Sequence, residues 1–554
     1  MSKEDCIYCI RIKRIFHFQT ETTSVQSRNR LTDCHIRLGT GGKNMRKKRI
    51  HFSFQAMCFL IVTLQLVGCS SISPQKAAPL NAAQKESSTY EITLYYYTST
   101  QRDLSEVEKE ISKITKERID ATVKLMPYMS SVELKRLMVA PNHKQIDLML
   151  AGSSTLNALI EGDQLIPLNH LLATQGKDIQ KVLGSDILDS VNRMGGIYGV
   201  PSMRDLATNY GIVMRKDLID KYKINLAQMN KVTDLPSVFQ TIQENEPGIT
   251  PLVPYKGTIY GGIRSGTYDE LDDSIGILPG YDNEFQIVNL YDSEQYAKDL
   301  DMIRNWYLSG YIDKDVVFTR DSAAELVRAG KAFAYFSPLK PNVEKQEARL
   351  TGYPMIAVPF TSPVMTTKQL NTSIMTIHKN SLNPEKAMSF LNLLYSDERI
   401  VNLLDNGIEG KHYVQVAPYI IDYPAGINAS NTGYSYNSWG IGNQFISRIW
   451  NGDDSDLWLK MDAFNKHAHM SKALGFTFDW VPVKAEYAAV KSILSQYVMA
   501  LETGTYDPKE KLSEFRLRLK SAGIDRIIAE KQQQLLLWNQ NKQYHANMVE
   551  GPDE

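Results

Sequence analysis

The sequence predicts an α/β protein built from two successive series of strands and helices. Two observations carry that reading. Between Ile92 and Ala151 the apolar pattern alternates between a period of two and helical spacing. A second alternation of the same kind runs from about residue 215 to 358. All five cysteines, Cys6, Cys9, Cys34, Cys58 and Cys69, fall in the first 69 residues. No disulfide framework or cysteine metal site can hold the remainder, so a large core must. A chain of 554 residues, 43% apolar and 22% charged, has the means to bury one.

The elements follow in order. Glu91-Ile-Thr-Leu-Tyr-Tyr-Tyr97 reads as a strand. Leu104, Val107, Ile111 and Ile114 recur at helical spacing. Ala121, Val123 and Leu125 alternate as a second strand, a short helix covers Val132 to Val139, and Ile146–Ala151 is a third strand. Strand, helix, strand, helix, strand predicts a mainly parallel sheet with right-handed crossovers. Gly195 to Pro201 reads as a hairpin, and Asn209 to Lys216 as a strand leading to a helix from Asp217. The second series has a helix carrying Tyr296, Leu300, Ile303 and Tyr307, with strands at Ala332–Phe336 and Met355–Val358. Ser373–His378 is a further strand. Asn383 caps the next helix, with Pro384 at its first position. The last third is helical: Asp507-Pro508-Lys509-Glu510 has the form of a capping box, Gly523 is a stop, and a final helix runs from Ile524 to about Gln540.

The N-terminus reads as a processing signal. Met45 precedes Arg46-Lys47-Lys48-Arg49, and Ala56–Val67 is an apolar run too short to span a bilayer. It ends Leu66-Val67-Gly68-Cys69, which resembles the lipobox of bacterial lipoproteins. Residues 45–68 are therefore expected to be a signal peptide, Cys69 a lipidated anchor, and 69–89 a flexible tether. The chain is expected at the cell membrane, on its extracellular face. Gly41-Gly42-Lys43-Asn44 back-translates as a ribosome-binding site before the Met45 codon. Residues 1–44 are thus expected to be a start-site misassignment, outside the mature protein.

Charge excludes some functions. Lys+Arg and Asp+Glu are equal at 62 each, which is not the footprint of a nucleic-acid binder. No GxxxxGK[ST], HExxH or GxSxG occurs. His467 and His469 diverge on a helix, and Asp453-Asp454-Ser-Asp456 lacks the glycine and terminal glutamate of an EF-hand, reading instead as a helix cap. No cofactor, metal or catalytic residue is expected. Glycoside hydrolysis, which needs only two spaced carboxylates, stays open as an alternative.

Longer motifs carry a family resemblance. Asn209-Tyr-Gly-Ile-Val-Met-Arg-Lys-Asp-Leu, Asn245-Glu-Pro-Gly-Ile-Thr-Pro-Leu and Gly407-Ile-Glu-Gly-Lys-His-Tyr are three of them. Leu474-Gly-Phe-Thr-Phe-Asp with Pro482-Val-Lys, and Ala522-Gly-Ile-Asp with Ala529-Glu-Lys-Gln-Gln-Gln-Leu, are the others. Over about residues 90–540 the chain resembles the family 1 extracellular solute-binding lipoproteins of ABC importers, in the Gram-positive subfamily with a C-terminal domain of unknown function. The resemblance implies a two-lobed, periplasmic-binding-protein-like fold with a multi-segment hinge near Leu206–Tyr210, Pro359–Asn371 and Leu404–Gly410. The N-terminal lobe would be 90–206 plus about 360–405. The C-terminal lobe would be 207–359 plus about 410–540, and 541–554 a tail. It implies a monomeric, non-enzymatic receptor that closes on a carbohydrate, or on a peptide or other polar solute, and delivers it to permease subunits with a separate ATPase.

Sugar faces stack on aromatic rings, and polar groups fix their hydroxyls. Ligands of parallel sheets bind beyond the carboxyl ends of strands, which points to Thr98, Gln101, Tyr128, Ser130 and Ser153. Tyr198, Arg204 and Asp205 lie beside the first crossing, and Tyr255 and Tyr260 sit in a glycine-containing loop. Gly433 to Gly440, rich in aromatics, hydroxyls and amides, offers Tyr434, Tyr436 and Trp439. Trp480 completes the candidates, whereas Trp306 and Trp538 lie on helices and read as core.

Overall fold

A computed structural model describes residues 89–550 apart from 131, 135, 137–144, 194, 256 and 437–438, with side chains at all of these except 154 and 544–550. The expectations for residues 1–88, Cys69 included, lie outside the described residues, as does half of the expected 132–139 helix; residues 132–134 and 136 are helical. No helix among the described residues is long and apolar enough to cross a membrane.

Nine strands form the two principal sheets. They are β1 (Tyr90–Tyr97), β2 (Ala121–Tyr128), β3 (Leu148–Ala151), β4 (Val200–Pro201), β5 (Asn209–Arg215), β6 (Thr250–Leu252), β7 (Ala332–Leu339), β8 (Met355–Pro359) and β9 (Ile374–Ile377). The first sheet has the order β2-β1-β3-β9-β4 and the second β8-β5-β7-β6. β1 lies parallel to both β2 and β3. Its Ile92, Leu94 and Tyr96 are fully buried, as its apolar composition demands. The helix Leu104–Ile119 lays Val107, Ile111 and Thr115 into the same core.

Both sheets are mixed rather than mainly parallel. β9 opposes β3, and β5 opposes both β7 and β8. The cause is where the chain enters each lobe. β5 and β9 are the first strands after a crossing, so they start at the edge where β3, β7 and β8 end: Asn209 faces Leu339, and Ile374 faces Ala151. A strand starting at that edge must run against strands that finish there. Gly211 makes the first entry possible. A Cβ there would lie 2.0 Å from the Val358 carbonyl oxygen, so only glycine lets β8 close on β5.

The first crossing spans residues 202–208 and the second 360–373, close to expectation. The third does not fall at 404–410. Gly407 (φ +82°) turns the chain back over its own lobe after the helix Glu398–Asn406. Leu404, Tyr434, Tyr436 and Ile441 all pack in the first core, and the Tyr434 hydroxyl donates to the Leu404 carbonyl at 2.7 Å. The passage comes at 469–476. His469–Met470 pairs beside Val364–Met365, Leu474 belongs to the first core, and Ala473 and Phe476 belong to the second.

The C-terminal part of the second lobe thus begins near Ala473, not near 410. Its helices Lys484–Glu502, Pro508–Ser521 and Ile524–Glu550 bury Val490, Leu501, Phe515, Ile527 and Leu535 against the core of Phe333 and Ile212. Asp507 caps the second of them through Lys509 N, without the reciprocal bond of a capping box. The last helix continues through most of the expected tail, because nothing in the sequence after Gln540 breaks it before Gly551. Asp453 and Asp454 do not cap the helix that follows them. They reach the second lobe's helix Val343–Thr351, where Asn342 donates to Asp453 at 2.8 Å and Lys345 pairs with Asp454 at 2.6 Å.

Candidate functional site

Two adjoining cavities form the candidate site, one in the face of the first lobe and one between the lobes. One of about 350 Å³ lies over the carboxyl ends of β1, β2 and β3 and is lined by Tyr97, Tyr128, Leu150 and Tyr436. The other, about 570 Å³, lies between the lobes. Its walls include Arg204, Asp205 and Gln369 from the crossings, and Tyr210, Tyr255, Thr258, Phe336 and Lys340 from the second lobe. Thr372 and Trp439 line both, so the two chambers adjoin at that pair.

The first chamber is a cage of tyrosines. Tyr97 and Tyr128 meet edge to face at 5.9 Å, and Tyr96 supports Tyr436 the same way at 4.9 Å. The Tyr128 hydroxyl donates to the Leu150 carbonyl at 2.8 Å, and burial raises its pKa to about 12, so it stays a donor. Tyr97 is 60% exposed, unusual for an aromatic ring and available for stacking.

Trp439 is held in place from several sides. Gln101 bonds the backbone of Ser435, accepting from its N–H and donating to its carbonyl. Ser202 donates to the Trp439 carbonyl at 3.0 Å. The indole Nε1 donates to Asp205 Oδ1 at 2.9 Å, and the Arg204 guanidinium sits 4.1 Å from the ring centroid. A ring fixed at its polar edge and on one face loses little freedom when a ligand stacks on it.

All the charged groups lining the cleft except Glu347 form ion pairs. Asp205 binds Arg204 at 2.9 Å and, across the lobes, Lys340 at 2.7 Å. Burial pushes its carboxyl up, but the two cations outweigh this and hold it below its ordinary range. Lys368 pairs with Glu270 at 2.8 Å, and Arg264 reaches the same carboxylate at 3.1 Å. Burial opposes ionisation of Glu270, yet those cations bring its pKa down to about 2. In the second lobe the Tyr335 hydroxyl donates to buried Glu347 at 2.6 Å, and Tyr255 stacks on Tyr335 at 5.8 Å. With its cations paired, the cleft offers a ligand rings, hydroxyls and amides, among them Thr208, Thr258, Ser265, Ser337 and Gln346.

Of the residues expected from sequence, Tyr128, Arg204, Asp205, Tyr255, Tyr436 and Trp439 line these chambers. The others do not. Gln101 fastens the Trp439 loop from behind. The Thr98 N–H donates to the Tyr128 carbonyl, and the Ser130 hydroxyl accepts from Glu133 N. Tyr198 packs on the first core, and Tyr434 is buried within it. Tyr260 is fully buried against Tyr296, because its segment is a helix, Ile259–Arg264, that turns this ring inward. Trp480 stacks on Tyr487 at 5.7 Å in the second lobe. The Ser153 hydroxyl donates to Asp272 of the opposite lobe at 3.1 Å. Missed were Tyr97, Tyr210, Lys340, Lys368, Gln369 and Thr372. Most lie at strand ends or in the crossings, a position that could have flagged them.

A cleft between two lobes, spanned by three chain crossings and lined by fixed rings and matched charges, defines a class of proteins that enclose a solute. Residues 97–399 match the family described as bacterial extracellular solute-binding protein, and residues 472–540 match a domain of unknown function, DUF3502. The chain belongs to the bacterial extracellular solute-binding protein family. A carbohydrate ABC transporter substrate-binding protein of Streptococcus pneumoniae serotype 4 is 24% identical over 522 residues, which cover 90% of this chain and 100% of that one. The N-glycan transport solute binding protein NgtS of Streptococcus pneumoniae superposes with a TM-score of 0.74 at 23% identity, over 82% of this chain and 100% of its own. Its complex with Man5GlcNAc gives 0.65 at 22% identity, over 82% and 99%.

Proposed function

We propose that the protein is a membrane-anchored extracellular receptor of an ABC importer that captures a neutral oligosaccharide between its lobes. The observation that carries this is the two-chambered cleft, in which Arg204, Lys340, Arg264 and Lys368 are engaged by Asp205 and Glu270 and rings and hydroxyls are left for the ligand. Two adjoining chambers favour a ligand of several sugar units over a monosaccharide. The names of the relatives, a carbohydrate substrate-binding protein and an N-glycan binder, agree with that class. Closure about the crossings would enclose the sugar, and the closed form would dock on a permease driven by a separate ATPase. Lipid on Cys69 would keep the monomeric receptor beside that permease. Acyl labelling of the chain, abolished in C69A, checks the anchor.

The test of the reading is a thermal-shift screen of the chain from Ser70 onward against neutral oligosaccharides, with the sugar recovered and weighed afterwards. A ligand at 100 times its dissociation constant should add ~2.7 kcal/mol of stability and return intact. Cleavage of the sugar would make the protein a glycoside hydrolase. Stabilisation by peptides alone would move it to another solute class.

A further inference from the structure

The segment Asp269–Ser274 is unlike any other loop among the described residues. Leu271 (φ +46°), Asp272 (φ +74°) and Ser274 (φ +61°) all take the left-handed conformation that side chains disfavour. Such backbone persists only where its surroundings over-determine it. Here the surroundings are the C-terminal helices. Lys531, fully buried, pairs with Asp273 at 2.5 Å and donates to the Gly276 carbonyl at 3.3 Å. Gln532 accepts from Ile287 N and donates to the Phe285 carbonyl. Glu502 faces Arg264 at 3.5 Å.

Held in this way, the loop reaches two of the three crossings and the opposite lobe. Asp269 accepts from the Ser471 hydroxyl in the third crossing. Glu270 pairs with Lys368 in the second. Asp272 accepts from Ser153, the first residue of the nine-residue helix Ser153–Glu161 in the first lobe. That helix start has no side-chain cap of its own, and a carboxylate is the favoured partner for it.

We propose that the C-terminal domain is a brace: it sets the Asp269–Ser274 loop so that Asp272 clasps Ser153 across the cleft and slows reopening of the closed receptor. Lys531 is a positioning residue in this scheme, acting through Asp273. The kinetic part of the test rests on the oligosaccharide reading; the scattering part does not.

Stopped-flow dissociation of a bound neutral oligosaccharide should be about tenfold faster in S153A, the loss expected for one hydrogen bond to a charged group, and faster by a smaller factor in D272N, whose amide oxygen still accepts. The double variant should be no faster than S153A alone. K531M should reach the same rate, with S153A adding nothing to it. If K531M does not fold, Q532A is read in its place, with a smaller rise in the same direction. Small-angle scattering of ligand-free S153A and D272N should show a wider molecule than wild type. Wild-type dissociation and scattering in both clasp variants would overturn the proposal. So would S153A and D272N effects that multiply, since they would make Ser153 an independent ligand contact. If the wild-type chain binds no oligosaccharide, the carbohydrate reading falls and scattering alone decides the clasp.

Discussion

Trp439→Ala is expected to weaken oligosaccharide binding by about 30-fold or more while leaving the fold in place. A central aromatic anchor typically contributes ~2 kcal/mol or more, and every ~1.4 kcal/mol is tenfold in affinity. Trp439 qualifies because it lines both chambers and is fixed by Asp205 and Arg204 before any ligand arrives. Calorimetric titration reads the affinity, and circular dichroism the fold. W439F should keep part of the affinity, since a ring remains while the bond to Asp205 is lost. Equal affinity in wild type and W439A would remove the indole from the site.

Asp205→Asn is expected to cost about 3 kcal/mol of stability. The substitution keeps the shape but leaves Arg204 and Lys340 facing a neutral group, and breaking a buried pair in this way costs ~3–5 kcal/mol. The lower end applies because Lys340 keeps some contact with solvent. The pH dependence has a definite sign. The carboxyl titrates below its ordinary range in the folded chain, so its contribution is complete above the unfolded value of ~3.9 and disappears as pH falls through the folded value. Urea denaturation below pH 4 should therefore show the gap between wild type and D205N closing. An unchanged denaturation midpoint for D205N at neutral pH would contradict the role given to this network.

Much of the fold was legible because periodicity reports burial. β1, β2 and β3 alternate or run apolar where they are covered, and Leu104 to Ile114 repeat at helical spacing because one face meets the sheet. Strand direction was not legible, since periodicity carries no sign. That β5 and β9 run against their neighbours follows only from where each crossing enters a lobe. The third crossing was misplaced for a related reason. A polar, aromatic stretch such as 411–445 looks the same whichever lobe it covers, and Gly407, which turns it back, reads equally well as a hinge.

The site was legible in part. The loop to Trp439 stood out because rings, amides and glycines together suit a surface better than a core. Tyr260 misled because its burial depends on Tyr296, distant in sequence, and on a short helix hidden by Gly261-Gly262; Trp480 misled because its ring stacks on Tyr487 of the helix that follows it. Lys340 and Lys368 carried no signal as isolated lysines. Their meaning comes from Asp205 and Glu270, carboxylates 135 and 98 positions away along the chain.

The central claim is that the cleft takes up a neutral oligosaccharide across two chambers that adjoin at Trp439. Calorimetric titration of the wild-type chain and W439A with a neutral oligosaccharide of several units, beside its constituent monosaccharide, tests it most directly. One oligosaccharide bound per wild-type chain, with the monosaccharide far weaker and both weakened in W439A, is the predicted result. No binding by any neutral oligosaccharide, or binding that W439A leaves untouched, would contradict it.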